Sequence, residues 1–295
     1  MTAAKQSKSY LYDSSLWGDK DVSSGKAAKD ENFPVGSLLI SRQLRPHVQA
    51  YYDFARVIDD IADAETLSSE EKINRLNAME AVVCKDVPAP DRADVLTARY
   101  LYNSFIETGV PVDTATDLLI AFRQDAVKNR YETMDELMQY CCYSANPVGR
   151  FLLHLHKEGP DTFPASDALC TSLQILNHLQ DCKTDLIKLD RCYIPLELMK
   201  KYNVKVEDLL APQMSFSLRK VFHVLLDHVD VLNREAEFLP RLTQDRRLRL
   251  EAAVIVYLAK FLAQRLRNED PLAADVKLSK KNVLYSVLKS FRYFM

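Results

Sequence analysis

The stretch YYDFARVIDDIADAE, residues 51–65, places three carboxylates within a run whose apolar residues recur with helical spacing. On an α-helix each residue advances by about 100°, so four side chains share one stripe: Tyr52, Arg56, Asp59 and Asp63. Asp60 falls at the edge of that stripe. Two aspartates four residues apart on one helix repel each other, so a positive group is expected near them. The stretch predicts a packed helix with one charged, functional face.

A second stretch, LQILNHLQDCKTDLIK at residues 173–188, repeats this pattern. One helical stripe there carries four polar side chains: Gln174, Asn177, Asp181 and Asp185. A single acidic cluster is more often a solvated helix face than a metal site, but two Asp-x-x-x-Asp pairs favour a ligand. Oxygen-only ligands suit Mg²⁺, which keeps several waters and binds substrate phosphates. The two stretches together predict Mg²⁺ that bridges both carboxylate stripes to a diphosphate leaving group.

The remaining sequence is typical of an all-α protein with a single large domain. Only six of the 295 residues are glycine, and strand-like alternation bounded by turn residues is missing from the pattern. The apolar period predicts helices near residues 44–64, 69–84, 91–108, 112–127, 133–145, 148–157, 166–187, 195–202, 215–238, 244–268 and 279–292. Residues 1–28 are predicted to form an irregular arm, and residues 29–295 the catalytic domain.

Local signals set three of the predicted helix ends. Thr133 and Glu136 have the spacing of a capping box. Pro195 suits the first turn of a helix, and Pro147 should break or kink one.

The composition limits which binding partners and which cellular compartment are expected. A net charge of −2 gives no general attraction to nucleic acid, so no nucleic-acid partner is expected. The six cysteines lack zinc-ribbon spacing, and we expect reduced thiols in the core of a cytoplasmic protein. The first residues contain no apolar signal core, and no uncharged run reaches the ~18 residues of a membrane span. A very apolar product should not leave freely into water, so we also expect peripheral contact with the inner face of the membrane.

Four motifs resemble those of the squalene/phytoene synthase family. ARVIDDIAD and LQILNHLQDCKTDLIKLDRCYIP are similar to its two aspartate-rich motifs, with NFPVGS before them and YCCYSANPVG between them. The resemblance runs from about Lys29 to about Tyr257. Within the family, DENFPVGS and YSANPVG resemble the bacterial hydroxysqualene synthase branch of the hopanoid pathway. The resemblance implies an isoprenoid-synthase helical bundle around a central cavity, with Mg²⁺ and a prenyl diphosphate bound.

The resemblance also implies roles for individual residues. Asp59 and Asp63 would hold Mg²⁺ on one wall of the cavity, and Asp181 and Asp185 on the other. Arg56 would bind diphosphate oxygens. Further residues would line the cavity or the reacting centre: Phe33, Tyr52, Tyr140, Gln174, Asn177 and Tyr257. For Tyr140 and Tyr257, the alternative without the motif match is ordinary core packing.

Two departures from the family pattern remove positive charge. Gln180 stands where these synthases often carry an arginine, and Lys277 is the nearest candidate for a displaced basic residue. An enzyme that binds one diphosphate needs less positive charge than one that condenses two. This departure is compatible with the hydroxysqualene synthase branch, for which the resemblance implies conversion of presqualene diphosphate and water to hydroxysqualene and diphosphate. A head-to-head condensing enzyme and a non-catalytic binding relative are the alternatives.

Asn146 is the candidate for positioning the attacking water. It replaces a small residue of the family pattern, beside the break expected at Pro147. A second interpretation is that Asn146 caps a helix end. Both interpretations are compatible with the sequence.

Overall fold

The computed structural model describes Trp17, residues 40–84 and residues 91–293. These residues form α1 (Arg45–Asp63), α2 (Ser69–Val83), α3 (Ala93–Thr108), α4 (Asp113–Asp125), α5 (Met134–Ser144), α6 (Asn146–Leu155), α7 (Phe163–Leu189), α8 (Leu196–Lys201), α9 (Phe216–Ala236), α10 (Leu239–Leu242), α11 (Arg246–Asn268) and α12 (Lys280–Ser290). Short 3₁₀ turns cover Pro160–Thr162, Val206–Leu210 and Phe291–Tyr293. No helix within these ranges is long and apolar enough to cross a membrane.

The predicted all-α fold is confirmed. Each of the eleven predicted helices is present, with ends that differ from the prediction by three residues or fewer. The four-residue helix α10 was not predicted, because it is too short to give a periodic signal. Among the described residues, β-pairing is limited to one isolated bridge between Arg130 and Cys192. The arm and the boundary at residues 28–29 lie outside the described residues, except for the buried Trp17, whose ring centre is 5.8 Å from the Arg92 guanidinium.

The first compact unit contains residues 41–127, and α1 contacts the other three helices of this unit. Four side chains on one face of α1 are buried, at the i, i+3, i+4 spacing of an amphipathic helix: Tyr51, Phe54, Ile58 and Ile61. The Tyr51 hydroxyl donates to the backbone carbonyl of Thr114 in α4, at 2.7 Å. The apolar face of α1 is thus fixed, and its opposite face carries the first aspartate motif.

The second compact unit contains residues 128–295, and its longest helix, α7, packs against α5, α6, α9 and α11. The break predicted at Pro147 is present. Ala145, with φ −124° and ψ −46°, separates α5 from α6. Helix α6 begins at Asn146, two residues before the predicted start, because a proline in the first turn has no N–H that needs a partner.

Two segments distant in sequence are paired at the end of α7. The Cys192 N–H donates to the Asn129 carbonyl at 2.9 Å, and the Leu196 N–H donates to the Tyr131 carbonyl at 2.9 Å. Asp190, in the left-handed conformation with φ 50°, ends α7. We call residues 129–134 and 190–197 the paired segments; they connect the start of α5 to the end of α7.

The capping predictions are corrected in detail. Thr133 caps α5 by accepting the Glu136 N–H at 3.2 Å, but the Glu136 carboxylate accepts from the Glu132 N–H instead of closing the box on Thr133. Pro195 is the residue before α8, not within its first turn.

All six cysteines are thiols. Cys141, Cys182 and Cys192 are buried, as expected of core thiols, but Cys142 is exposed and Cys84 and Cys170 are half-buried. Burial raises the pKa of Cys192 to about 11 and raises the pKa values of Cys141 and Cys182 further. The buried thiols are therefore neutral at physiological pH.

Glu158, only 8% exposed, fixes the start of α11. Its two carboxylate oxygens accept the Gln244 N–H at 2.8 Å and the Asp245 N–H at 2.7 Å. Asp245 then caps α11 by accepting the N–H groups of Arg247 and Leu248. A buried carboxylate satisfied by two backbone donors connects the turn after α6 to the helix that carries Tyr257.

We predict that Glu158→Ala lowers the free energy of unfolding by about 2 kcal/mol, because two buried N–H groups lose a charged acceptor. Chemical denaturation followed by circular dichroism would measure the change. The exposed Glu235 near the end of α9 provides the control, and Glu235→Ala should change stability by less than about 0.5 kcal/mol. Equal effects of the two substitutions would contradict the role of Glu158.

Candidate active site

The first aspartate motif is held together by ion pairs within α1. Nη2 of Arg56 lies 2.9 Å from an Asp59 carboxylate oxygen and 3.0 Å from an Asp60 oxygen. The side chain of Asp59 is 29% exposed, whereas that of Asp60 is 5% exposed. Asp60, placed at the edge of the stripe by helical geometry, is thus the buried member of the motif.

The predicted stripe of Tyr52, Arg56, Asp59 and Asp63 is half-buried along its whole length. With Asp60 included, three carboxylates and one guanidinium give this part of α1 a formal charge of −2. A divalent cation neutralises that charge, and carboxylate oxygens are the donors that Mg²⁺ prefers. The donor set of the first motif therefore fits Mg²⁺.

The second motif lies on the last turns of α7. Asp181 is exposed, and Asn177 and Asp185 are half-buried, so the predicted stripe does face away from the most buried side of the helix. Gln174, one turn before Asn177, has its Nε2 atom 3.2 Å from Nε2 of His178. These carboxylates also suit a hard cation that completes its shell with water and phosphate oxygens.

Two side chains of α7 next to the second motif bind backbone carbonyls. The amide of Gln180 donates to the Val276 carbonyl, so this position anchors the segment before α12 and supplies no charge. Lys183 donates to the carbonyls of Ala211 and Leu272 at 3.0 and 3.1 Å. Both side chains on this face of α7 thus bind backbone in the second unit.

Lys277 is a basic residue whose pKa is affected by the second motif. Its ammonium group lies 2.9 Å from an Asp275 oxygen. The ion pair with Asp275 raises the pKa of Lys277, and the charge of Asp181 raises it further. The cation expected to be displaced from the family position is therefore close enough to interact with Asp181.

An aromatic cluster surrounds Tyr140. Its ring centre is 5.2 Å from that of Tyr131, 5.3 Å from that of Tyr193 and 5.9 Å from that of His178. His178 stacks on Tyr193, with 3.6 Å between centres and 15° between planes. The paired segments supply Tyr131 and Tyr193, and α7 supplies His178. All four rings are buried, and the face of an aromatic ring can stabilise a nearby cation where water is excluded.

His178 is neutral in this cluster. Burial lowers the pKa of His178 to about 3, and the neighbouring positive charge of Arg191 contributes to the decrease. Neutral imidazole leaves one nitrogen as donor and the other as acceptor, which suits a hydrogen bond with the Gln174 amide. Gln174, on the predicted substrate-binding stripe, is thus oriented by a histidine on the buried side of α7.

Asn146 is buried, 4% exposed, and its side-chain oxygen accepts from the Thr171 hydroxyl at 3.0 Å. The capping interpretation of Asn146 is wrong, because Ala145 is the capping residue and Asn146 is the first residue of α6. The bond instead joins α6 to α7, two turns before Asn177. A buried amide with a fixed orientation can hold a water molecule at a set position.

Tyr257 and Phe33 are the remaining predicted site residues. Tyr257 is half-buried on α11, with its ring centre 5.5 Å from the Arg292 guanidinium, and burial raises the pKa of its hydroxyl. Phe33 lies outside the described residues. Among the residues that the structure describes, protein side chains alone assemble no group of three or more His, Cys, Asp or Glu that could hold a metal ion.

Sequence reasoning missed Asp60 as a buried partner of Arg56, and also Tyr131, Tyr193, His178 and Thr171. His178 could have been found from its i, i+4 spacing to Gln174. Tyr193 lies in the quoted CYIP segment, but nothing in the sequence indicates its stacking. Tyr131 and Thr171 carry no signal, because their roles depend on segments far away in the chain.

We predict that the low pKa of His178 in the folded state makes the protein less stable at mildly acidic pH. The folded pKa of about 3 lies below the unfolded value near 6.5, so the stability contribution is complete above pH 6.5 and falls as the pH drops toward 3. Between pH 7.5 and 5.5 the loss from this residue is about 1.4 kcal/mol.

Urea denaturation of the native protein and of His178→Gln at both pH values measures this contribution. Other titrating groups are common to both proteins, so the variant should lose about 1.4 kcal/mol less than the native protein. Identical pH dependence in the two proteins would contradict a buried, neutral His178.

The sequence is similar to those of known proteins over most of its length. The sequence model of squalene/phytoene synthase matches residues 26–282. The hydroxysqualene synthase of Zymomonas mobilis is 40% identical over 262 residues, which cover 88% of this chain and 87% of that protein. The hydroxysqualene synthase of Rhodopseudomonas palustris is 41% identical over 259 residues, with 88% and 87% covered.

A solved structure extends the similarity to the fold. The crystal structure of squalene synthase HpnC from Alicyclobacillus acidocaldarius matches with a TM-score of 0.68 and 27% sequence identity. The match covers 79% of this chain and 86% of that one. The matched family region includes both aspartate motifs, Tyr140, Asn146 and Tyr257.

Proposed function

The chain is an enzyme that belongs to the squalene/phytoene synthase family, and on that premise we propose that it is a hydroxysqualene synthase. Its substrates would be presqualene diphosphate and water, and its products hydroxysqualene and diphosphate. One observation carries this choice within the family: two hydroxysqualene synthases are about 40% identical to the chain over 88% of its length. Enzymes of this family act on prenyl diphosphates and generally depend on a divalent metal.

The charges of the two motifs support a diphosphate site. Asp59 and Asp63, with Asp181 and Asp185, would hold Mg²⁺, which when bound supplies positive charge for the departing diphosphate. Arg56 would bind diphosphate oxygens in the forked geometry of a guanidinium. Its ion pairs with Asp59 and Asp60 hold it along the motif before substrate binds. Lys277, which interacts with Asp181, would add a second positive group.

The reaction is proposed to pass through a carbocation. The bond between carbon and the diphosphate oxygen breaks, and both electrons leave with the diphosphate. The cyclopropylcarbinyl cation opens to an allylic cation, to which water adds with loss of a proton. The Tyr140 cluster would stabilise the cation with its ring faces, since this attraction strengthens where water is excluded. Tyr52, Gln174, Asn177 and Tyr257 would line the same cavity, and Phe33 would complete it.

Two other functions are less well supported. A head-to-head condensing enzyme must bind two diphosphates, whereas Gln180 donates its amide to the Val276 carbonyl and offers no charge. A non-catalytic relative would not need the four motif aspartates, and all four are present. Release of diphosphate that requires Mg²⁺ would distinguish either enzyme from a binding protein.

We predict that Asp59→Asn and Asp181→Asn each lower the rate of diphosphate release by about 100-fold or more, because each removes a carboxylate that faces the leaving group. A stopped phosphate assay after pyrophosphatase treatment, with Mg²⁺ varied, would measure the rate. The exposed Asp135 on α5 lies outside both motifs. Asp135→Asn should retain the native rate, and loss of activity in that variant would indicate a general charge effect.

We predict that native protein with presqualene diphosphate and Mg²⁺ in ¹⁸O-labelled water, without nicotinamide, forms a labelled C30 alcohol. Asn146→Gly should reduce the alcohol fraction and increase dehydrated hydrocarbons, because the water loses its positioning amide. Mass spectrometry of the extracted products measures both quantities.

Thr171→Val provides the matched variant, since it removes only the hydroxyl that orients Asn146. We expect an intermediate change in product ratio for Thr171→Val. Hydroxysqualene formed at native rate and purity by Asn146→Gly would reject the role of Asn146. A presqualene or dehydrosqualene product from farnesyl diphosphate would instead support the condensing enzyme.

A cytoplasmic enzyme with peripheral membrane contact is the proposed setting. Substrate and product each carry thirty carbons of apolar chain, and their transfer through water is unfavourable. Contact with the inner face of the membrane would let both partition into lipid.

A further inference from the structure

Helix α12 has its apolar and polar faces reversed relative to an ordinary surface helix. Leu284 and Leu288 are each 61% exposed, and Phe291, just after the helix, is 49% exposed. Ser286 and Ser290 are fully buried. A helix on a water-soluble surface normally buries its leucines and exposes its serines.

The buried serines are satisfied within α12 itself. The Ser286 hydroxyl donates to the Asn282 carbonyl at 2.8 Å, and the Ser290 hydroxyl donates to the Ser286 carbonyl at 2.7 Å. Helix α12 packs against α11, where the Tyr285 ring meets the Phe261 ring edge-on at 5.5 Å. Small side chains that bond to their own helix can lie close to α11, so the outward direction of the leucines is fixed by packing.

Three of the exposed apolar residues of this segment form one stripe with a basic border. Leu284, Leu288 and Phe291 have i, i+4, i+7 spacing and fall within about 60° of one another. Lys280 and Lys281 fall within about 60° of Leu284, and both are exposed. We call these five residues the α12 patch.

The charge of the C-terminal segment selects the partner. Residues 276–295 contain five basic residues and no acidic residue, although the whole chain has a net charge of −2. A second copy of the chain would bring the same positive charges to the α12 patch, and like charges would repel. A lipid surface with anionic headgroups offers opposite charge to the lysines and an apolar layer to the leucines.

We propose that the α12 patch docks on an anionic lipid bilayer surface. The stripe lies in the headgroup boundary, and the lysines and Arg292 bind lipid phosphates. This inference deepens the proposed function by naming the surface that contacts lipid. Docking depends on the geometry of α12 and does not require turnover.

Vesicle flotation with the full chain tests the proposal without substrate. Phosphatidylglycerol–phosphatidylcholine vesicles should bind the native protein, and phosphatidylcholine vesicles should bind it far less. Leu284→Gln/Leu288→Gln should weaken binding by about tenfold or more, because two apolar side chains no longer enter the lipid. Lys280→Gln/Lys281→Gln should weaken binding by about 25-fold at low salt, at roughly fivefold for each charge.

Phe216→Gln is the matched control. Phe216, on α9, is 76% exposed, and its ring centre is 4.4 Å from the Lys220 ammonium, so it is another exposed apolar group beside a lysine. Binding by Phe216→Gln should equal that of the native protein. A native protein that fails to bind, a leucine variant that binds normally, or an equal loss in Phe216→Gln would overturn the proposal.

Two further measurements exclude other occupants of the α12 patch. Dissociation of a dimer in the leucine variant would show that a second copy of the chain covers the α12 patch. A fall of several degrees in the unfolding temperature of this variant would show that another part of the same chain covers the patch. Either result would overturn the proposal. Turnover of detergent-dispersed presqualene diphosphate should be normal in the leucine variant. Absence of turnover in the native protein would reject the proposed function alone.

Discussion

Helix α7 must bury one side against four helices while it keeps carboxylates on the other side accessible to water. Its buried positions begin near Ala165 and continue to Cys182, and Asp181 and Asp185 follow the opposite side. Since the register of a helix fixes every side chain at once, the packing of α7 also determines where its carboxylates point. The bond from Thr171 to Asn146 and the stacking of His178 on Tyr193 depend on the same register.

The repulsion between nearby aspartates is reduced by positive groups of different origin in the two motifs. In α1, Arg56 is on the same helix and binds Asp59 and Asp60 directly. In α7 one neighbouring cation is Lys277, which comes from the segment before α12 and is itself paired with Asp275. The i, i+4 ion pair of Arg56 and Asp60 can form as soon as the helix forms. A charge supplied from a distant segment depends on tertiary structure, so Lys277 contributes to the second motif only when the segment before α12 is in place.

The helices and the motif stripes could be predicted from the sequence because both depend on short-range periodicity. The few glycines and the regular apolar spacing located eleven helices, and Pro147 located the break between α5 and α6. The neighbours of Tyr140 could not be predicted. Tyr131 and Tyr193 meet through the paired segments, which lie about sixty residues apart in the chain and carry no repeat or complementary pattern. Likewise, helical geometry places Asp60 at the edge of the stripe, but only tertiary packing makes it buried.

The buried thiols have a consequence for how the rigidity of α7 can be observed. Thiolate, not thiol, reacts with alkylating reagents, and Cys182 is neutral because it is buried beside Asp181 and Asp185. Its reaction at neutral pH therefore requires α7 to separate locally from its neighbours. The alkylation rate of Cys182 reports the frequency of that opening, at a position within one residue of a predicted metal ligand. The exposed Cys142 supplies a reference rate in the same chain, so the native sequence contains both the probe and its internal standard.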